Sequence, residues 1–182
     1  TTEVIMQYVL LACRVVIGAV FLVSALSKVR RPQAFTEFAG SVGALVPAAR
    51  GAAPALAAAG IAAEFAVAAA TLWGPSQRWG LAGAALLLLL FSTLLALAIR
   101  RGVTTPCRCL GASPQPPGAP QLIRNAVLLA GCATGLLGSS AAAVHPAGAA
   151  VALGAAAVLV LLAVGADDLA TLFESPTLGS QS

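Results

Sequence analysis

Residues 79–101 read WGLAGAALLLLLFSTLLALAIRR, and this stretch decides the fold. From Trp79 to Ile99 it contains no charged residue, and the pair Arg100-Arg101 follows. An α-helix rises about 1.5 Å per residue, so about 20 apolar residues cross the hydrocarbon core of a bilayer. The stretch therefore predicts a transmembrane helix with a basic anchor at one end.

The composition of the whole chain agrees with a membrane environment. Hydrophobic residues make up 59% of the chain and charged residues only 9%, and the mean hydropathy is +0.95. A soluble domain has roughly a quarter charged residues, which cover its surface. The formal net charge of +4 does not indicate nucleic-acid binding, because the basic residues cluster at the ends of apolar runs. The first apolar run follows Glu3 without a preceding Lys or Arg, so no cleavable signal peptide is predicted.

Five apolar runs predict transmembrane helices in a single membrane domain over residues 1–182. The fourth run is short and has Arg124 and Asn125 in its first turn, so we expect an all-α, polytopic membrane helix bundle of four to five transmembrane helices. The predicted spans are about 8–29, 54–73, 79–99, 121–138 and 147–166.

Two segments between the spans differ in character. Residues 33–46 place apolar side chains at spacings of three and four, which predicts an amphipathic helix along the membrane interface after the first span: Phe35, Phe38, Val42 and Leu45. Residues 102–120 contain several prolines and no helical period, which predicts a loop that contains two cysteines.

Lysine and arginine in short loops predict the orientation. With five spans, eight basic residues fall on the side that holds the first and third connections and the C-terminus: Lys28, Arg30, Arg31, Arg50, Arg100, Arg101, Arg108 and Arg124. Only Arg78 falls on the opposite side. The sequence therefore predicts an N-terminus outside, with the loop around Cys107 and the C-terminus in the cytoplasm.

Cys107-Arg108-Cys109 is the most distinctive local motif. Thiols one residue apart can close a small, strained disulfide, and the neighbouring arginines favour the thiolate form. Two other interpretations remain open, a pair of loop cysteines without a role and a metal site. Two sulfurs supply only half of a tetrahedral ligand set, so no metal is predicted.

Cys13 and Cys132 lie inside spans at similar predicted depths. Cys13 is about 7.5 Å and Cys132 about 9 Å from the outer ends of their helices. If the first and fourth spans are neighbours, these thiols form a second pair near the outer face. The alternative is that each cysteine is a small apolar packing residue, and the Gly131-x-x-x-Gly135 pattern favours packing there.

Arg14 and Glu64 are charged residues within predicted spans, and such charges are costly enough to indicate function. By helical rise, Arg14 lies about 9 Å and Glu64 about 15 Å below the outer face, so their side chains are expected to be able to meet. Such a pair either fixes helix register or takes part in thiol or proton chemistry. His145 precedes a proline at a helix start, which favours an interfacial position.

Several motifs together resemble the MauE family of methylamine utilisation proteins, which groups with the DoxX-like membrane proteins. The resemblance covers roughly residues 8–138 and rests on Arg14, Ser27-Lys28, Glu64, the Cys107-Arg108-Cys109-Leu110-Gly111 loop and Leu122-Ile123-Arg124-Asn125. In that family the loop usually reads Cys-x-Cys-Phe-Gly, often after Asp. Here Leu110 replaces Phe, and Pro106 precedes the two thiols.

The resemblance implies a multi-pass protein of the bacterial cytoplasmic (inner) membrane linked to thiol–disulfide chemistry. Members named for methylamine utilisation are associated with maturation of a disulfide-rich periplasmic enzyme, together with a thioredoxin-like partner. For this chain the resemblance implies a membrane redox protein, a candidate thiol–disulfide oxidoreductase.

In the leading hypothesis, Cys107 and Cys109 exchange with a thioredoxin-like protein or a low-molecular-weight thiol. Cys13 and Cys132 relay to the other face, Arg14 stabilises a thiolate and Glu64 handles a proton. The two cysteine pairs are separated by much of a ~30 Å core, so a carrier such as a quinone or an inward fold of the loop is needed. The alternatives are a non-catalytic assembly factor or subunit of a membrane complex, and a small-solute transporter lined by Arg14 and Glu64.

Overall fold

The computed structural model of the protein describes residues 2–103, 118–138 and 145–173. These residues form six α-helices and no strand: α1 (Thr2–Val29), α2 (Pro32–Leu45), α3 (Ala53–Leu72), α4 (Gln77–Arg100), α5 (Ala119–Leu137) and α6 (Pro146–Phe173). Short 3₁₀ segments, Pro47–Ala52 and Gly74–Ser76, connect α2 to α3 and α3 to α4. The all-α helix bundle predicted from the sequence is confirmed.

Helix α1 is the centre of the bundle. It contacts every other helix of the described chain, while α3 packs on α4, α4 on α5 and α5 on α6. Ile17, Val20 and Phe21 of α1 are buried in one core with Leu88 of α4 and Leu128 of α5. The first apolar run of the sequence is therefore the element around which the others are arranged.

Helix α2 packs against α1 and α3 through its apolar stripe. Pro32 occupies its first turn, where a missing backbone N–H costs nothing. Phe38 and Ala39 are buried against Ala25 of α1 and Ile61 of α3. The apolar face of α2 thus packs on other helices of the protein, and α2 closes one end of the α1–α3 pair.

Three segments of the described chain are long and apolar enough to cross a membrane: Ile5–Val29, Pro47–Leu72 and Gly74–Arg100. They correspond to the first three spans of the sequence interpretation. The fourth and fifth predicted spans coincide with α5 and α6, in which Ala150–Leu161 is a shorter apolar stretch. That these two helices also cross the membrane stays a prediction.

Helix α4 ends in a glycine C-cap. Gly102 has φ of +66°, a conformation that only glycine adopts readily. The Gly102 N–H donates to Ile99 O at 3.1 Å, and the Val103 N–H donates to Ala98 O at 3.0 Å. This pair of hydrogen bonds is a Schellman motif, which satisfies the last carbonyls of α4 and fixes the direction in which the chain leaves it.

Helices α3 and α4 approach each other very closely at Gly80. A Cβ atom built on Gly80 would lie 2.6 Å from the carbonyl carbon of Ala70 and would overlap the backbone of Thr71. Backbone atoms cannot move aside as a flexible side chain can. Glycine is therefore required at this crossing, which allows the short Gly74–Ser76 connection to bring the two helices together.

We expect Gly80→Ala to destabilise the bundle by about 1–3 kcal/mol, because the added methyl group separates α3 from α4. Thermal unfolding in detergent, followed by circular dichroism, measures the effect. Gly154→Ala in α6 is the matched control, since a Cβ there meets nothing within 4 Å. The control should be neutral or slightly stabilising. Equal behaviour of the two variants would contradict the close crossing.

Candidate functional site

A buried ion pair joins α1 to α3. The Lys28 Nζ donates to Glu64 Oε1 at 2.7 Å and to Glu64 Oε2 at 2.8 Å, so both carboxylate oxygens are engaged. The side chains of Lys28 and Glu64 are only 2% and 1% exposed. Opposite charges held at this distance, away from water, attract each other strongly and are costly to separate.

Ser24 and Phe38 complete this site. The Lys28 Nζ donates to Ser24 Oγ at 2.7 Å, and Ser24 Oγ donates to Glu64 Oε1 at 3.3 Å. The Phe38 ring of α2 lies over the ammonium group, with its centroid 4.9 Å from Nζ. All three ammonium protons have acceptors, and the aromatic face covers the cation. We call Ser24, Lys28, Phe38 and Glu64 the charged junction of α1, α2 and α3.

The local sequence explains how the charged junction forms. Ser24 and Lys28 are one turn apart on α1, so both project from one face toward α3. The chain then reverses at Arg31 and Pro32, where the extended backbone of Arg31 precedes α2. This reversal brings Phe38 back over the end of α1. The pair is thus buried by a helix that is adjacent in sequence.

Lys28 is the residue whose role the sequence interpretation missed. We predicted it to be a loop cation at the end of the first span, but the structure places it within α1 with its ammonium group buried. The available signal was the spacing of Ser24 and Lys28, two polar residues one turn apart on one face of α1. A run of basic residues that includes Arg30 and Arg31 concealed that signal.

Arg14 and Glu64 do not pair, so the predicted contact between them was wrong. The Arg14 guanidinium instead donates to Thr71 O at 2.7 Å, to the Leu72 O and to Gln77 Oε1 at 3.0 Å. The reason is axial separation, since Thr71 and Glu64 are seven residues apart on α3, or about 10 Å. Arg14 caps the carboxyl end of α3 and ties it to α4.

Cys13 and Cys132 lie on the neighbouring helices α1 and α5, and both thiols are free. Cys132 is fully buried in the main core, whereas the Cys13 Sγ lies 3.6 Å from Thr134 Oγ1. The predicted adjacency of these helices is thus present. The two thiols are not paired with each other, and packing in the apolar core explains the position of Cys132.

The other predicted pair, Cys107 and Cys109, lies outside the described residues. Its flanking helices are described, and Asn125 of α5 donates through Nδ2 to Ser92 Oγ of α4 at 3.1 Å. Within the described ranges, no three His, Cys, Asp or Glu side chains cluster as metal ligands do.

Long apolar helices packed around α1, with a buried ion pair inside the bundle, define an integral membrane protein. The chain matches the family model of methylamine utilisation protein MauE over residues 6–138, and it belongs to that family. The matched region includes the charged junction and the Cys-Arg-Cys motif. Neither a curated protein nor a solved structure matches the chain.

We expect Lys28→Met to destabilise the protein by about 3–5 kcal/mol, because it leaves the buried Glu64 carboxylate without its counter-charge. Glu64→Gln should be destabilising for the reciprocal reason. The double variant Lys28→Met/Glu64→Gln should recover much of the loss. A double-mutant cycle on denaturant unfolding in mixed micelles measures the coupling.

Arg30→Met is the control for this cycle, since it removes an exposed cation only two residues further along. Its effect should stay within about 0.5 kcal/mol. Lys28 is also the only lysine of the chain, so acylation of lysine, located by peptide mass spectrometry, reports on its burial. The buried pair would be contradicted if the stability losses of the two single variants simply add up in the double variant. Rapid acylation of Lys28 in the folded protein would contradict it as well.

Arg14→Lys should destabilise the bundle by about 1–3 kcal/mol, because a lysine cannot supply the planar set of donors that reaches three acceptors. Gln77→Leu removes only one of these hydrogen bonds and should cost less. Thermal unfolding compares the two variants. If Arg14→Lys unfolds like the wild type, the cap contributes nothing and only the charge of Arg14 matters.

Proposed function

We propose that this MauE-family protein is a membrane thiol–disulfide redox protein whose reactive pair is Cys107 and Cys109. The observation that carries the proposal is a Cys-Arg-Cys motif that lies, in sequence, between two packed helices, α4 and α5. The proposed partner is a thioredoxin-like protein or a low-molecular-weight thiol, in keeping with what the resemblance implies.

Hydrogen bonds hold the described residues on both sides of the segment that contains the two cysteines. On one side, the Schellman motif at Gly102 terminates α4. On the other side, the Gly118 N–H donates to Gln121 Oε1 at 3.0 Å at the start of α5. The Ser92–Asn125 hydrogen bond holds the two helices together nearby. A redox pair needs such a fixed base, because exchange requires a defined approach of the partner's sulfur.

The local charge supports thiol reactivity. Arg100 and Arg101 are exposed at the end of α4, and Arg108 lies between the two cysteines in sequence. Cations near a thiol favour the thiolate, which is the nucleophile in exchange. The acidic residues Asp167 and Asp168 belong to another helix, α6.

The proposed reaction is a reversible two-electron exchange. A partner thiolate attacks one sulfur of the Cys107–Cys109 disulfide, which forms a mixed disulfide and releases the other loop sulfur as a thiolate that takes up a proton. The second partner thiol, after losing its proton, attacks the mixed disulfide. The partner leaves as a disulfide, and the loop pair is reduced to two thiols.

Cys13 and Cys132 are proposed as a second, outer thiol site at the opposite end of the bundle. Cys13 lies one residue before Arg14, which contacts the carboxyl end of α3, whereas α4 ends and α5 begins at the other end. Relay between the sites needs a carrier, for which we propose a quinone. The contacts of Arg14 and Glu64 support positioning roles for them within this scheme.

We also propose a location in the bacterial inner membrane, with the N-terminus outside and the cysteine loop and C-terminus in the cytoplasm. Burial of Lys28 removes it from the loop cations that predicted this orientation. Seven of the eight basic residues remain on the cytoplasmic side, against Arg78 on the other. The asymmetry that favours this orientation is therefore preserved.

Counting thiols tests the redox proposal. The chain has four cysteines, so reduced protein labelled with a mass-tagged maleimide under denaturing conditions should carry four labels. Mild oxidation of the purified, quinone-free protein should lower the count to two, because Cys107 and Cys109 join while Cys13 and Cys132 have no carrier to oxidise them. The double variant Cys107→Ser/Cys109→Ser should carry two labels before and after oxidation.

The matched control is Cys13→Ala/Cys132→Ala, which should carry two labels when it is reduced and none when it is oxidised. A wild-type count that never changes with oxidant and reductant would end the redox proposal. If the change in label count is lost in Cys13→Ala/Cys132→Ala and kept in Cys107→Ser/Cys109→Ser, the redox chemistry belongs to Cys13 and Cys132, and the proposal fails.

A further inference from the structure

A cleft on the outer side of α2 is separate from the charged junction and from the cysteines. It lies between α2 and the beginning of α3 and has a volume of about 790 Å³. Small residues form much of its wall, including Ala39, Gly40, Gly43 and Ala53, and the Phe35 ring lines it as well. A cleft of this size falls within the range of small-molecule binding sites.

The cleft has one acidic and one basic residue. Among the described residues that line it, only Glu37 and Arg50 are charged. A Cβ atom built on Gly43 would lie 3.6 Å from Cγ of Arg50, so the stem of Arg50 runs along α2 at that point. Glu37 precedes Gly43 by six residues, which is about 9 Å along the helix. Both side chains are long enough to reach a ligand between them.

The position of the cleft indicates what kind of ligand it meets. Helix α1 ends at Val29, just before α2, and helix α3 begins at Ala53. The cleft therefore lies where hydrocarbon gives way to the headgroup layer. A ligand there has an apolar part for the alanine and glycine wall and a polar part for Glu37 and Arg50.

We propose that the cleft binds a zwitterionic phospholipid with a primary ammonium group, as in phosphatidylethanolamine. Arg50 pairs with the phosphate, and Glu37 accepts hydrogen bonds from the ammonium group. An anionic headgroup satisfies Arg50 but is repelled by Glu37. A choline headgroup has no N–H to donate to the carboxylate, so it forms the weaker complex.

Native mass spectrometry of the delipidated full-length protein tests this proposal with three added lipids. Phosphatidylethanolamine should bind more tightly than phosphatidylcholine or phosphatidylglycerol of the same acyl chains. Arg50→Gln should weaken phosphatidylethanolamine binding on the order of tenfold, the equivalent of one charge-assisted hydrogen bond. Glu37→Gln should weaken it similarly and raise the relative affinity for phosphatidylglycerol.

A second pair of variants tests the cleft itself. A Cβ on Gly40 meets nothing within 4 Å, so the side chain of Gly40→Leu has room to enter the cleft and should abolish the preference for phosphatidylethanolamine. Gly154→Leu, at an equally open position of α6 outside the cleft, is the control and should bind like the wild type. Circular dichroism confirms that each variant keeps its helices.

Three results would overturn the proposal. One is equal binding of all three lipids by the wild type, and another is unchanged binding by Gly40→Leu. The third is a dimer of the chain that Gly40→Leu disrupts, which would assign the cleft to a second copy. The outcome is independent of the cysteines, so Cys107→Ser/Cys109→Ser should keep the wild-type lipid preference.

Discussion

The attraction between the buried ammonium of Lys28 and the carboxylate of Glu64 constrains the rest of the structure. Two charges in a low-dielectric bundle are tolerated only when they stay together and their remaining hydrogen bonds are satisfied. This requirement fixes how far α1 and α3 can slide past each other. It also requires a cover, which α2 provides through the Phe38 ring.

Polar contacts inside the bundle fall at two levels, with an apolar core between them. At one level Arg14 binds the end of α3, and Cys13 contacts Thr134 of α5. At the other level lies the charged junction, together with the hydrogen bond that joins α4 to α5. Ile17 and Phe21 occupy the layer between and are buried. Each level sets the register of a different group of helices, because apolar side chains alone specify register weakly.

The separation of these levels bears on any redox relay. Sulfur atoms must touch to exchange, and among the described residues the buried core between the levels contains no cysteine other than Cys132. Electrons can pass between the two ends only with a carrier or with a loop that reaches inward. In the proposed redox scheme, the two cysteine pairs are therefore separate thiol sites and not a continuous chain of sulfurs.

Helix α2 has two functions that follow from its two faces. Phe38 faces the charged junction, whereas Gly40 and Gly43 line the cleft beside α3. Glycine at these positions leaves space that a larger residue would fill. A ligand in the cleft would thus contact the same helix that shields the ion pair.

The sequence by itself determined the membrane character, the all-α class and the motifs that show MauE membership, because each depends on composition or spacing along one helix. It also singled out Glu64 as an intramembrane charge. Only the tertiary structure decided the partners, since contacts such as Lys28 with Glu64 depend on helix rotation and on the reversal at Pro32. Depth along the helices predicted that the side chains of Arg14 and Glu64 can meet, but packing placed Arg14 against Thr71, which lies about 10 Å along α3 from Glu64 at about 1.5 Å per residue.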